Sequence, residues 1–135
     1  MTEPALSTLP RAAKGPIAPP PKLNGLTKIV ADAVAAWPDV VSTAHWHLKD
    51  KTKVDGVDFY VGDQELGHIH LDGSIHLASN LALGAELVRE GLGRPFPYIR
   101  GWTLANVSDV RAEGSIALFK RNYDRLRPNN RHSDV

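Results

Sequence analysis

The chain contains no cysteine, which excludes a disulfide framework, a zinc ribbon, an iron–sulfur cluster and a thiol nucleophile; any metal site must be built from His, Asp or Glu. It also has almost no net charge. Sixteen Lys and Arg against 15 Asp and Glu leave +1 over 135 residues, without the cationic surplus from which nucleic-acid binders draw their non-specific affinity. A nucleic-acid partner is therefore not indicated. No run approaches the roughly 18 apolar residues of a membrane span, and the start, Met1-Thr-Glu-Pro-Ala-Leu-Ser7, lacks a basic segment followed by an apolar one. These absences predict a cytoplasmic protein with no membrane partner, long enough for one ordinary domain.

Proline is distributed unevenly. Six of the ten prolines fall within the first 21 residues, ending in Pro19-Pro20-Pro21, and the apolar residues between them follow neither the helical nor the strand period. Residues 1–22 are expected to be a disordered arm, 23–127 a single globular domain, and 128–135, which start with a helix breaker and are polar, a disordered tail.

Within the domain, Leu26, Ile29, Val30, Ala33, Val34 and Trp37 form the stripe of an amphipathic helix between a candidate cap, Asn24, and a stop, Pro38. Val40 to Leu48, Val57 to Val61 and Leu66 to Leu71 read as three strands of an antiparallel meander, with Gly62-Asp63-Gln64 as a turn. The run from Leu66 to Leu77 is the most informative. A three-residue turn, Leu71-Asp72-Gly73 with Gly73 at a left-handed position, pairs His68 with His76 and His70 with Ser74. Ile69, Leu71, Ile75 and Leu77 then fall on the other side. A one-residue slip would mix the two sets, so clean segregation selects this register.

Ser79 or Asn80 caps a helix carrying Leu83, Leu87 and Val88, ended by Gly91 or Gly93. Residues 94–100 form a proline-ruled connector, Gly101 to Val107 a further strand, and Ser108 or Asp109 opens a last helix with a stripe of Ile116, Phe119, Tyr123 and Leu126 and a weak point at Gly114. The order α-β-β-β-β-α-β-α predicts an α+β domain, a four- to five-stranded antiparallel sheet with helices packed on one face. An uncovered sheet face or edge could pair in a homodimer.

The chemistry suggested by spacing is that of imidazole. His68 and His70 at i, i+2 point the same way, and His76 lies across from His68, so three rings could converge on a metal ion or move protons. His45 and His47 repeat the spacing on the first strand. Against a metal site, Glu65 alternates away from the histidines and Asp72 is explained as a turn residue, so no cofactor is predicted and a metal at His68, His70 and His76 is the minority reading. Ser74 lacks the strand-to-helix elbow of a hydrolase nucleophile. Gly91-Leu-Gly93 lacks a dinucleotide fingerprint, and Arg121 and Arg125 form a solvated charged face. Trp46, Trp102, Phe59 and Phe96 are core residues or an aromatic binding floor, and Pro95-Phe-Pro-Tyr98 is a rigid connector or a lid.

Several of these segments occur together in one order: Glu65-Leu-Gly-His-Ile-His70, Leu87-Val-Arg-Glu-Gly91 with Arg94-Pro95, Gly101-Trp102, Ser108-Asp-Val110, and Ala117 to Leu126. In this the chain resembles the luciferase-domain family, bacterial and fungal proteins named after the luciferase of bioluminescent fungi. The general layout is also similar to that of MmcQ/YjbR-like proteins, a fold-level analogy. The fungal enzyme oxidises a hydroxylated pyrone with molecular oxygen and without a metal, so the resemblance implies a small oxygenated ligand; light emission is not carried over. It further implies a pocket in which His68 and His70 are catalytic, one as general base, and Gly67, Trp102, Arg121 and Tyr123 bind. The competing expectation is a scaffold module that contacts a protein or a polyanion through its N-terminal arm, with Arg11, Lys14 and Lys22, and its basic last helix.

Overall fold

The computed structural model describes residues 18–47, 49–50 and 52–131. Most of the N-terminal arm, with Arg11 and Lys14, and the last four residues lie outside this range. The elements are α1 (Gly25–Ala35), β1 (Val40–Trp46), β2 (Val54–Val61), β3 (Gln64–His70), β4 (Ser74–Leu77), α2 (Leu81–Arg89), β5 (Arg94–Pro95), β6 (Thr103–Asn106) and α3 (Val107–Arg131). All strands join one antiparallel sheet in the order β1-β2-β3-β4-β6-β5. The α+β expectation holds, with one strand more than the sequence pattern indicates.

The extra strand is β5, where a proline-ruled connector was expected. Proline cannot donate to a ladder and is tolerated at a sheet edge, which is where Arg94 and Pro95 pair with Leu104 and Thr103. The next residue continues the hairpin, Phe96 N–H donating to the Trp102 carbonyl at 3.0 Å.

One sheet face carries the core. Phe59, Ile69, Ile75 and Leu77 are fully buried against Leu118 and Phe119 of α3, with Val30 and Val34 of α1 and Leu87 of α2 in the same cluster. Burying side chains of this size stabilises the fold by roughly 1.5–3 kcal/mol each. Within α1 the buried face is rotated from the predicted stripe. Thr27, Val30, Ala31 and Val34 point inward, whereas Leu26 and Ile29 are 45% and 53% exposed.

Of the expected caps, Asn80 acts through its side chain, Asn24 makes no side-chain cap hydrogen bond, and Asn106 rather than Ser108 or Asp109 serves the last helix. The Asn80 side chain accepts from Leu83 N–H at 2.9 Å, and the Asn106 amide oxygen accepts from Ser108 N–H at 2.9 Å at the start of α3. The weak point in α3 is Arg111, with φ 65° and ψ 176°, rather than Gly114. Ser115 Oγ donates to the Arg111 carbonyl across this break at 2.7 Å. The helix then continues to Arg131, past Pro128.

Two local features set up the opposite face. The β3–β4 turn closes as expected, Gly73 N–H donating to the His70 carbonyl at 2.9 Å, and His68 stands opposite His76. In the β2–β3 pairing, Phe59 faces Gly67 but Tyr60 faces Glu65, so Leu66 is an extra residue in a β-bulge. Gly67 has φ 149° there, and a Cβ would come within 2.8 Å of the His76 carbonyl oxygen and 3.2 Å of the Phe119 ring.

Candidate functional site

The bulge decides which side chains meet. In an uninterrupted strand Glu65 would share a face with Gly67 and Ile69, and Leu66 would share one with His68. The extra residue reverses both. Leu66 enters the core, fully buried, and the Glu65 carboxylate turns to the histidine face, its Oε2 accepting from His68 Nδ1 at 2.9 Å. The expectation that Glu65 points away from the histidines is thereby overturned. Only the presence of a strand glycine hinted at it.

Four of the six histidines come together on this face. His68 is central and 6% exposed. His45 reaches it from β1 across β2, its ring stacked on His68 at 4.0 Å between centroids. In the row His45–Gly56–His70 the middle residue has no side chain, and the His45 and His70 rings meet edge to face at 4.8 Å. His76 completes the group from β4, 4.7 Å from His68 and 4.5 Å from His70.

His47 does not join. The register shifts between His45 and Trp46, which ends the i, i+2 relation, and His47 Nδ1 instead accepts from the Lys49 and Asp50 amides at 3.2 and 3.1 Å.

A carboxylate holds one nitrogen of each of three histidines. His45 Nδ1 lies 2.7 Å from Asp58 Oδ1, His68 Nδ1 2.9 Å from Glu65 Oε2, and His70 Nδ1 2.8 Å from Asp55 Oδ2. Asp58 Oδ1 is also 3.6 Å from His68 Nδ1. A carboxylate accepts only, so each Nδ1 carries the proton and each Nε2 presents a lone pair. The tautomer of His76 follows, with its Nδ1–H donating to His68 Nε2 at 3.0 Å and lying 3.5 Å from His70 Nε2. The proton positions are assigned from this network.

Burial sets the charge state. It pushes the His68 imidazolium below the ordinary histidine range, more than its hydrogen bond to Glu65 raises it. Burial and the neighbouring His68, His70 and His45 push His76 down to about 3. Both rings are neutral near pH 7. They are bases or ligands in that state, not cations.

Aromatic rings wall one side. Phe96, placed by the β5–β6 hairpin, lies 4.5 Å from His76, and Trp102 lies 6.2 Å from His68 and 6.1 Å from Phe96. Of the four aromatic residues read as core or binding floor, Phe96 and Trp102 stand beside the histidines, whereas Phe59 is a core residue. A groove of about 570 Å³ between residues 20–24, α1 and the β1–β2 pair contains none of the histidines.

His68, His70, His76 and Trp102 therefore cluster, but three expected pocket residues do not line this face: Gly67 is next to His68 in β3, yet a side chain there would point at Phe119 in the core, and the other two lie farther off. Tyr123 lies in the helix layer across the sheet, packed on Trp37 at 5.0 Å with its hydroxyl donating to the Pro38 carbonyl at 2.9 Å. Arg121 points outward to Glu86 and Glu90 at 2.7 and 2.8 Å. A helical period cannot bring either through a filled sheet. The residue between them reaches the bulge from behind: Asn122 Nδ2 donates to the Leu66 and Ala78 carbonyls at 2.9 and 3.0 Å, and Arg125 holds its amide oxygen at 2.8 Å. Asn122 is a fully buried amide among Leu118, Phe119, Tyr123 and Leu126, a signal present in the sequence.

Residues 63–118, from the turn before β3 into α3, match the family model of the luciferase domain. This bears out the resemblance carried by the Gly-His-x-His strand and the segments after it as far as Ser108-Asp-Val110; most of Ala117 to Leu126 lies beyond the match. No curated protein and no solved structure matches the chain. Among the described residues, no helix is long and apolar enough to cross a membrane.

Proposed function

We propose that this luciferase-domain protein binds a small oxygenated organic molecule at the histidine face and acts on it by proton abstraction or oxygenation. The observation that carries the reading is the set of carboxylate-held histidines beside an aromatic wall. His70, paired with Asp55 and half-buried, is the candidate general base. Its Nδ1–H is fixed by the carboxylate, so Nε2 is free to accept a proton, and Asp55 stabilises the imidazolium that forms. Trp102 and Phe96 offer apolar surface to a planar ligand, the His76 Nε2 is left as a hydrogen-bond acceptor, and neither His68 nor His76 places a competing cation beside the base.

The scaffold alternative has less support. Lys120, Arg121, Arg125 and Arg127 of the last helix are engaged by Asp124, by Glu86 and Glu90, by Asn122 and the Ala78 carbonyl, and by Asp39 and the Pro38 carbonyl.

The test is NMR titration of metal-free protein with a hydroxylated 2-pyrone and with catechol, followed at the histidine and Trp102 indole signals. Saturable shifts at His70 and Trp102, weakened at least tenfold in His70→Gln and unchanged in His47→Gln, are expected. Absence of shifts with both probes, or equal loss in the two variants, removes the reading. Oxygen uptake with the pyrone then separates an oxygenase from a binder.

A further inference from the structure

The histidine face has a second property, independent of any organic ligand. Nitrogen ligands to a metal need their other ring nitrogen anchored, because an acceptor at Nδ1 fixes the tautomer, orients the ring and raises the basicity of Nε2. Three rings here are anchored in this way, by Asp58, Glu65 and Asp55. A ligand nitrogen of each of His45, His68 and His70 lies within 4.8 Å of the others. With each Nδ1 committed to its carboxylate, the nitrogens left for an ion are the three Nε2 atoms.

His76 adds a fourth. Its Nδ1 lies 3.0 Å from His68 Nε2 and 3.5 Å from His70 Nε2. In a tetrahedral site with metal–nitrogen bonds of about 2.0–2.1 Å, ligand atoms are separated by roughly 3.3 Å. The two observed separations bracket that value, so His76 Nδ1 stands at ligand spacing from the Nε2 atom of each of the other two rings.

We infer that His45, His68, His70 and His76 bind one divalent transition-metal ion, with Asp55, Asp58 and Glu65 as anchoring carboxylates. The inference rests on the same reading of this face as a built site and goes beyond it in naming an inorganic ligand. An all-imidazole set selects Zn(II), Co(II), Ni(II), Cu(II) or Fe(II) over Mg(II) and Ca(II), which take oxygen ligands. The three carboxylates offset the ion's charge from the outer shell. When the ion enters, the hydrogen that His76 shares with His68 moves from Nδ1 to Nε2 of the same ring. This is a tautomer change within one ring, so it balances without an outside acid or base.

The experiment uses the full chain, stripped with chelator and titrated with Co(II) and then Zn(II), with calorimetry and the visible absorption of tetrahedral Co(II) as readouts. One equivalent should bind, with the intense bands of a tetrahedral nitrogen site, bleached when Zn(II) displaces Co(II). His45→Gln and His70→Gln should each lower affinity at least tenfold, Asp55→Asn about tenfold or more through the anchored ring, and His47→Gln not at all. His45 and His70 are half-buried, so they remain usable if the central variant, His68→Gln, does not fold; circular dichroism checks each protein. No saturable binding of either ion overturns the inference, as does binding unaffected in both His45→Gln and His70→Gln. Pyrone binding measured in chelator is a separate result: if the pyrone fails to bind while the ions bind in their own titration, the organic-ligand reading alone falls, and if the ions fail while the pyrone binds, the metal alone falls.

Discussion

Substitution of Gly67 by alanine tests the link between the bulge and the histidine face. At φ 149° an L side chain is strained, and the new Cβ would stand 2.8 Å from the His76 carbonyl oxygen, 3.1 Å from Leu77 Cα and 3.2 Å from the Phe119 ring. Backbone strain of this kind costs about 1–3 kcal/mol. Forcing a methyl group against backbone that cannot swing away costs a further 1–3 kcal/mol or so. The expected loss is therefore about 2–6 kcal/mol, a large part of the roughly 5–15 kcal/mol that holds a small domain folded. Gly91→Ala supplies the comparison, because Gly91 also has positive φ, at 75°, but a Cβ there meets nothing within 4 Å. It should lose only the left-handed penalty, about 1–2 kcal/mol. Urea unfolding followed by circular dichroism measures both, with unchanged m-values confirming that the same surface is exposed. In whatever fraction of Gly67→Ala stays folded, the His68 ring should lose its Glu65 partner and its NMR signals should shift. A Gly67→Ala protein within about 1 kcal/mol of the parent, or no less stable than Gly91→Ala, would refute the argument that this residue is confined to glycine by close packing.

Three further outcomes are expected. In metal-free protein, His68 and His76 are held neutral in the folded state, His76 down to about 3, while in the unfolded chain they take up protons near pH 6.5. Stability is then fully present above pH 6.5 and falls as pH drops toward the folded value, by up to about 1.4 kcal/mol per pH unit for each ring and less for the partly hydrated His76; urea melts between pH 7 and 5 showing flat stability would contradict it. Asn122→Leu should cost about 1–3 kcal/mol, because the Leu66 and Ala78 carbonyls each lose one donor but keep another, from Ala78 N–H and Arg125, and Co(II) affinity should fall with it as the bulge loosens. Arg121→Ala should change stability by less than about 1 kcal/mol, since its ion pairs with Glu86 and Glu90 are largely exposed, and should leave pyrone and metal titrations unaltered; a loss of either would return Arg121 to the site.

The sequence by itself determined the α+β class, the meander from β1 to β4, the cap at Asn80, and the hairpin register that sets His68 against His76. Each of these depends on neighbours close in the chain. A period of two, a glycine with positive φ and a polar residue at a helix start are local geometry, and local geometry is written in local sequence. The family resemblance reached the Gly-His-x-His strand for the same reason, although it also pointed to Arg121 and Tyr123, which lie elsewhere.

The tertiary structure alone decided how many groups share the histidine face. Glu65 arrives through an inserted residue that breaks the strand period, and a bulge is a property of two paired strands rather than of one. His45 arrives across a whole strand, through the gap above Gly56. Asp55 and Asp58 are ordinary strand residues until pairing sets them beside His70 and His45. Tyr123, by contrast, belongs to the apolar stripe of α3 and cannot cross the sheet that this stripe packs against. Alternation tells which way a side chain points from its own strand, but convergence depends on which strands are neighbours and in what register, and only the folded sheet fixes both.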